Sequence, residues 1–243
     1  MKTLSYVEYE EDKHEKCAII NWIGSAFDSI EIKSPCDNDC IFCLCKDEDK
    51  TLCSSVQLNH SNINSNKIGI FCIGEPTLNP KIIELARMLK KNYKELAIST
   101  NGRRLKDLGF LRELVNTGIK KIFISLHGAD ACTHNAITCR EKSFYETIEG
   151  IKNVVKIGKA DIVTINFVVT KINIRSMVSM VELVKKLGVN KLNYDTLVPL
   201  GKAKNNFYEL MPSYTEIVSN FIKCCEIVHK NNNFNKNKNI FKK

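Results

Sequence analysis

No run of apolar residues in this chain approaches the roughly 18 that a bilayer-crossing helix needs. The first sixteen residues, MKTLSYVEYEEDKHEK, are polar and acidic, where a secretory signal would set a basic end before an apolar stretch. The expectation is a cytoplasmic protein with no membrane partner. Also missing is a second CxxC pair, because only Cys40 and Cys43 among the eleven cysteines are so spaced. A closed structural zinc site, typically built from two such pairs, lacks half of its ligands. The cysteines are odd in number and clustered, which favours metal or redox chemistry in a reducing compartment over a disulfide framework.

At 243 residues and 44% hydrophobic, the chain can bury one sizeable core. Its net charge of +9 is concentrated at one end: KNNNFNKNKNIFKK, residues 230–243, carries five lysines and no acid. A solvated, disordered basic tail is expected there, with contact to RNA or another acidic partner as the alternative.

Strand-length apolar runs alternate with segments of helical period. The strands are expected around 30–33 and at 67–73, 95–100, 120–126, 161–169 and 191–198. Amphipathic helices are expected at 80–92, 105–118, 143–158 and 174–188, and three of these close on Gly118, Gly158 and Gly188. A last helix, 213–229, opens on Ser213 with Glu216 three residues later, the capping-box pattern. The Asn- and Ser-rich segment between Cys43 and Lys67 makes a first crossover helix short or doubtful. Six strands alternating with helices imply a parallel sheet, open or closed into part of a barrel, with ligands at the carboxyl ends of its strands. The unusual residues fall there: the cysteine cluster, Gly74-Glu75-Pro76-Thr77, Asn101-Gly102, Ser125-Leu126-His127-Gly128 and Pro199-Leu200-Gly201.

Within SPCDNDCIFCLCKD, Cys36, Cys40 and Cys43 are spaced CxxxCxxC. Three thiolates on one short loop suit an iron–sulfur cube with one iron left open. With IGEPTLNP, ISTNGRRL, ISLHGADACTHNAITCREKSF and TLVPLGKA downstream, residues 28–203 resemble the radical S-adenosylmethionine (radical SAM) enzymes. The resemblance implies an α/β fold, a partial (β/α)6 TIM-like barrel with parallel strands. Its implied cofactors are a [4Fe-4S] cluster on Cys36, Cys40 and Cys43 and S-adenosyl-L-methionine chelating the open iron. The implied reaction is reductive cleavage to a 5′-deoxyadenosyl radical, which takes a hydrogen atom from substrate, with an electron donor such as a flavodoxin or ferredoxin.

Carried over by position, the resemblance sets Gly74, Glu75 and Pro76 against the methionine amino group, with Ile73 where many members have glycine. Ser125 would meet the ribose hydroxyls, Arg140 the methionine carboxylate, Asn166 the nucleoside, and Val198, Pro199 and Leu200 the adenine. Glu75 alone would read as a plain strand-end carboxylate, but following the cysteine loop it is read as a cofactor contact. His127 could orient substrate or cofactor, or equally be a loop histidine satisfied by backbone. Cys45 is a spectator or a resting-state fourth ligand. Cys72 belongs to the core, Cys132 or Cys139 could donate a hydrogen atom to a substrate radical, and Cys224 and Cys225 pack.

The expected organisation is an N-terminal extension over 1–27, a radical SAM core over 28–203, a helical segment over 204–229 and the tail. SLHGADACTHNAITCREKSFYETIEGIKNV is similar to the corresponding region of peptide-modifying and cofactor-synthesis members, so the expected substrate is a ribosomally made peptide, with a small molecule of cofactor or metabolite synthesis as the alternative. An RNA-modifying member, nucleic acid bound through the tail, and a non-enzymatic iron–sulfur electron-transfer or sensing protein are the rivals.

Overall fold

The computed structural model describes residues 28–44, 53–59, 66–189 and 191–240; Cys45 and the extension over 1–27 lie outside them. Seven strands form one sheet in the order β2-β1-β3-β4-β5-β6-β7. They are β1 (Asp28–Lys33), β2 (Cys53–Asn59), β3 (Lys67–Ile73), β4 (Glu95–Thr100), β5 (Ile119–Ser125), β6 (Ile162–Val169) and β7 (Lys191–Thr196). The six expected strands are parallel to one another, as right-handed crossovers require. The seventh, β2, pairs antiparallel with β1 at the sheet's edge and occupies the segment where a first crossover helix was doubtful.

Because side chains alternate across a strand, each strand sends its bulk to one face. Ile30, Ile70, Ile98, Ile122 and Ile165 lie on that face and are almost fully buried. Against it pack α1 (Ile82–Asn92), α2 (Leu108–Asn116), α4 (Ser143–Ile157), α5 (Met177–Leu187) and α8 (Tyr214–Ile240) through Leu85, Leu111, Ile151, Met180 and Cys224. The opposite, inner face carries Ser99, Ser125, Thr164, Asn166, Asn193 and Asp195 alongside Phe71, Phe123 and Val168, a more polar lining than the helix-covered face. Thus helices cover one side of the sheet, and its polar strand residues gather on the other.

The helix ends follow the residues that dictate them. Gly158 and Gly188 close α4 and α5 in the left-handed region. At α8, the Glu216 carboxylate accepts from the Ser213 N–H at 3.0 Å while the Glu216 N–H reaches the Ser213 hydroxyl at 3.3 Å, the expected capping box. The helix then runs to Ile240, past the boundary that composition suggested at residue 229. One helix was not expected, α3 (Ala131–Thr138). Its single strong apolar anchor, Ile137, gives no periodic stripe, but Asp130 caps it by accepting from the Thr133 N–H at 2.8 Å. Two short turns of helix, α6 (Lys202–Asn205) and α7 (Phe207–Leu210), link β7 to α8.

Gly150, in the middle of α4, fixes how closely that helix approaches the loop after β4. A Cβ there would stand 2.2 Å from the Gly102 carbonyl oxygen. Gly150→Ala should therefore lower the melting temperature, even though alanine favours a helix by about 1 kcal/mol. Overpacking of this kind costs about 1–3 kcal/mol, or roughly 2–4 °C per kcal/mol in a domain of this size. An equal or higher melting temperature would mean the two segments can separate freely.

Candidate active site

The cysteine loop leaves β1 and crosses the carboxyl end of the sheet, and its shape is set by partners on three sides. The Asp39 and Ile41 N–H groups donate to the Thr138 and Ile137 carbonyls, at 2.9 and 3.0 Å. Those are last-turn carbonyls of α3, which have no partner within the helix. Phe42 turns inward onto Ile137, Leu197, Ala203 and Leu210, with its ring edge-on to His127 at 5.0 Å. The Lys202 N–H donates to the Cys43 carbonyl at 2.8 Å, and the Lys202 ammonium pairs with Asp39. A helix end, a small apolar cluster and the loop after β7 thus converge on eight residues of chain, and Cys36, Cys40 and Cys43 are left half-buried.

Burial pushes the Cys36 thiol up to about 11, and the nearby Glu75, Asp37 and Cys43 charges add to the shift, against the Asn38 N–H that lowers it. Such a thiol stays protonated until a metal displaces the proton. Among the described residues no three His, Cys, Asp or Glu side chains converge on a point that one ion could share. A cubane does not require such a point, because its three protein-bound irons each take a different sulfur. The donor set, three soft sulfurs on one short loop, fits the group.

The Gly74-Glu75-Pro76 segment abuts the loop from β3. Gly74 has φ +110°, and a Cβ would lie 1.8 Å from the Ser34 carbonyl, so the glycine permits a backbone contact just ahead of Cys36. The Glu75 N–H donates to Pro35 at 3.1 Å. The Glu75 side chain is 2% exposed, and its carboxylate accepts four hydrogen bonds: the Thr77 N–H and hydroxyl, the Thr100 hydroxyl and the Asn101 N–H, at 2.5 to 3.0 Å. Burial raises its pKa above the ordinary carboxylate value, and the four donors work against that rise. Three of these fall on Oε1 and one on Oε2, so Oε2 keeps one acceptor direction open. Through the Thr100 and Asn101 donors the carboxylate joins β3 to β4.

Ser125, Asn166 and Asn193 stand side by side on β5, β6 and β7, and the Asn193 amide donates to the Asn166 side-chain oxygen at 3.2 Å. Arg140 is exposed beside the loop, its Nε donating to the Asp37 carbonyl at 3.1 Å. Val198, Pro199 and Leu200 form a half-buried turn after β7, closed by a 2.8 Å bond from the Leu200 N–H to the Val198 carbonyl. His127 is buried, with Nδ1 accepting from the Val168 N–H at 3.2 Å, and burial drives its pKa down to about 3. It is a neutral ring satisfied by backbone, wedged under Phe42. Cys132 and Cys139 are exposed, and Cys72 packs against the helix-side core.

Two residues at this end of the sheet escaped the sequence reading. Arg103 bridges the cysteine loop to α4, and only the basic pair following Asn101-Gly102 hints at it. Asp195 lies two residues beyond Asn193 on the inner face, with Oδ2 buried and without a hydrogen-bond partner. Burial pushes its pKa up to about 7. An acid between Tyr194 and Thr196 in a strand carries no sequence signal for this.

The two buried carboxylates should respond oppositely to amide substitution. Glu75→Gln sets an NH2 group against surrounding donors and should cost about 1–3 kcal/mol, read as a lower melting temperature. Asp195 binds its proton more tightly folded than unfolded, so its contribution to stability declines as pH rises from about 4 through about 7. Asp195→Asn should melt above the parent at pH 8, with the gap closing near pH 5; a gap independent of pH would contradict the assignment.

Residues 30–184 match the family model of the Radical SAM superfamily. A curated relative from Saccharolobus islandicus, named a probable GTP 3′,8-cyclase, is 34% identical over 191 residues, which is 74% of this chain. The chain spans 59% of the length of that relative. Among solved structures, Streptococcus suis SuiB bound to its precursor peptide SuiA aligns with a TM-score of 0.54 and 18% identity, over 83% of this chain and 47% of that one. Coproporphyrinogen III oxidase (HemN) from Escherichia coli, a radical SAM enzyme, aligns with a TM-score of 0.53 and 16% identity, over 68% and 40%. These likenesses confirm the fold as a partial TIM-like barrel. With the family model covering more than half of its length, and a cysteine loop able to carry the [4Fe-4S] cluster its members use with S-adenosylmethionine, the chain belongs to the radical SAM superfamily of enzymes.

Proposed function

We propose that this protein cleaves S-adenosylmethionine reductively and uses the product radical to abstract hydrogen from a small-molecule substrate of cofactor or metabolite synthesis. The observation that carries the reaction class is the three-thiol loop, clamped between α3 and the turn after β7 at the carboxyl end of a parallel sheet. When bound, the cluster and S-adenosylmethionine supply the electron transfer and the 5′-deoxyadenosyl radical.

The protein's own residues bind, orient and exclude water. Cys36, Cys40 and Cys43 would each hold one iron. Arg140, exposed beside Asp37, offers a guanidinium to the methionine carboxylate, a charge-assisted pairing. The backbone at Gly74-Glu75 would face the methionine amino group. Ser125 and Asn166, adjacent across β5 and β6, offer a hydroxyl and an amide to the ribose. The Val198-Pro199-Leu200 turn would lie along the adenine. Phe42 and His127 fill the space beneath the loop, and burial of this kind protects a reactive radical from competing donors.

For the substrate, the relatives at 34% identity named as cyclases of GTP support a small molecule, with a guanine nucleotide the first to test. A ribosomally made peptide is the second reading; SuiB with its precursor peptide supports it through likeness of fold alone. An external reductant such as a flavodoxin or ferredoxin would supply the electron.

The test is anaerobic reconstitution with iron and sulfide, reduction, addition of S-adenosylmethionine and assay of 5′-deoxyadenosine. The product should form with the parent and be absent with Cys36→Ala/Cys40→Ala/Cys43→Ala. Arg140→Ala should keep its iron and lose affinity for S-adenosylmethionine by roughly tenfold or more, as removal of one charge-assisted bond would predict. A parent that carries a full cluster yet neither binds nor cleaves S-adenosylmethionine would overturn the reading in favour of electron transfer.

A further inference from the structure

Arg103 follows Gly102 on the short 3-10 turn after β4, and its side chain is only 13% exposed. One edge of the guanidinium is committed to Glu146 on α4: Nε donates at 2.7 Å and Nη2 approaches at 2.6 Å. Burial alone would raise the pKa of Glu146, but Lys106 and Arg103 hold it below the ordinary carboxylate value. The remaining nitrogen, Nη1, points the other way, into the cysteine loop. There it donates to the Asp37 backbone carbonyl and to Asn38 Oδ1 at 3.1 Å, and lies 3.3 Å from the Asp37 carboxylate.

Asp37 is the residue after the first cysteine, and everything around it converges on the same point. Its carboxylate accepts from the Asn101 amide at 2.6 Å, and its carbonyl is shared by Arg103 and Arg140. A buried ion pair is by itself weak evidence of a stabilising role. Here the geometry is more specific than a pair. A planar fork with one edge immobilised on a helix presents its far nitrogen at a fixed place, which a lysine's single ammonium cannot do.

We propose that Arg103 is a positioning residue for the cofactor site: locked onto Glu146, it holds the Asp37 backbone and thereby sets the spacing of Cys36 against Cys40 and the pose of Arg140. This rests on the reading that Cys36, Cys40 and Cys43 hold the cluster. Supporting groups of this kind typically alter affinity at a metal site by 10- to 100-fold when removed.

The test uses the full chain, reconstituted anaerobically, as the parent, Arg103→Lys, Glu146→Gln and Lys106→Ala. Lys106→Ala removes the other partner of Glu146 without touching the loop. Four quantities are measured: iron and sulfide per chain, melting temperature, affinity for S-adenosylmethionine, and the electron paramagnetic resonance spectrum of the reduced cluster with and without S-adenosylmethionine. Arg103→Lys and Glu146→Gln should retain a cluster, bind S-adenosylmethionine roughly tenfold more weakly and show a diminished spectral response to it. Lys106→Ala should behave as the parent. The proposal is overturned if Arg103→Lys binds S-adenosylmethionine with parental affinity and spectrum. It is also overturned if its losses match those of Lys106→Ala, since both would then report only a weakened α4. A parent that assembles no cluster would overturn the cysteine assignment and this proposal with it.

Discussion

A loop that must present three thiols in one arrangement can do so only if its own backbone polar groups are given fixed partners, because an unpaired group in a half-buried segment favours rearrangement. Here the carbonyls of Ile137 and Thr138 meet that constraint. They end a helix that contributes almost nothing to the main core. The end of α3 exposes carbonyls with no intrahelical acceptor role, and the cysteine loop supplies N–H groups with no ladder to join. Each element completes the other, and the site exists where they meet.

The rest of the architecture holds those two elements in place. Asp37 is fastened from the α4 side by Arg103, from β4 by Asn101 and from the α3–α4 connection by Arg140. Cys43 is fastened from the other side by the Lys202 N–H. Glu75 ties β3 to β4 directly beneath, with one carboxylate occupied by four donors. That engagement changes how the GEP segment is best understood in this chain. Its glycine makes room for Ser34, and its glutamate is a structural clasp between β3 and β4 with one Oε2 acceptor direction to spare.

Two kinds of buried polar group mark the difference between frame and site. Every side-chain oxygen and nitrogen of Glu75, Thr100 and Asn173 has a hydrogen-bond partner inside the protein, as in a frame residue. Asp195 has a buried oxygen with none, on the inner face of β7 beside the Asn166–Asn193 pair. Stability alone would favour an apolar residue there, since a buried polar oxygen without a partner costs free energy.

Sequence alone determined the parallel sheet, because strands and amphipathic helices announce themselves through periods of 2 and 3.6 and right-handed crossovers leave few topologies. It determined the family as well, since CxxxCxxC and the GEP, TNG and SLHG segments are contiguous and local. Even the capping box at Ser213 and Glu216 was legible, being a contact between residues three apart. Tertiary structure decided what no local pattern encodes. The strand β2 has an Asn- and Ser-rich surrounding and is stabilised by pairing with β1 at the edge, so its period was never a strong signal. The α3 helix lacks an apolar stripe because its work is done by its end. Arg103 and Asp195 acquire their meaning from partners 66 residues away in one case and from the absence of a hydrogen-bond partner at one oxygen in the other. Both are properties of how segments distant in the chain are brought together, and they appear only when the sheet is assembled.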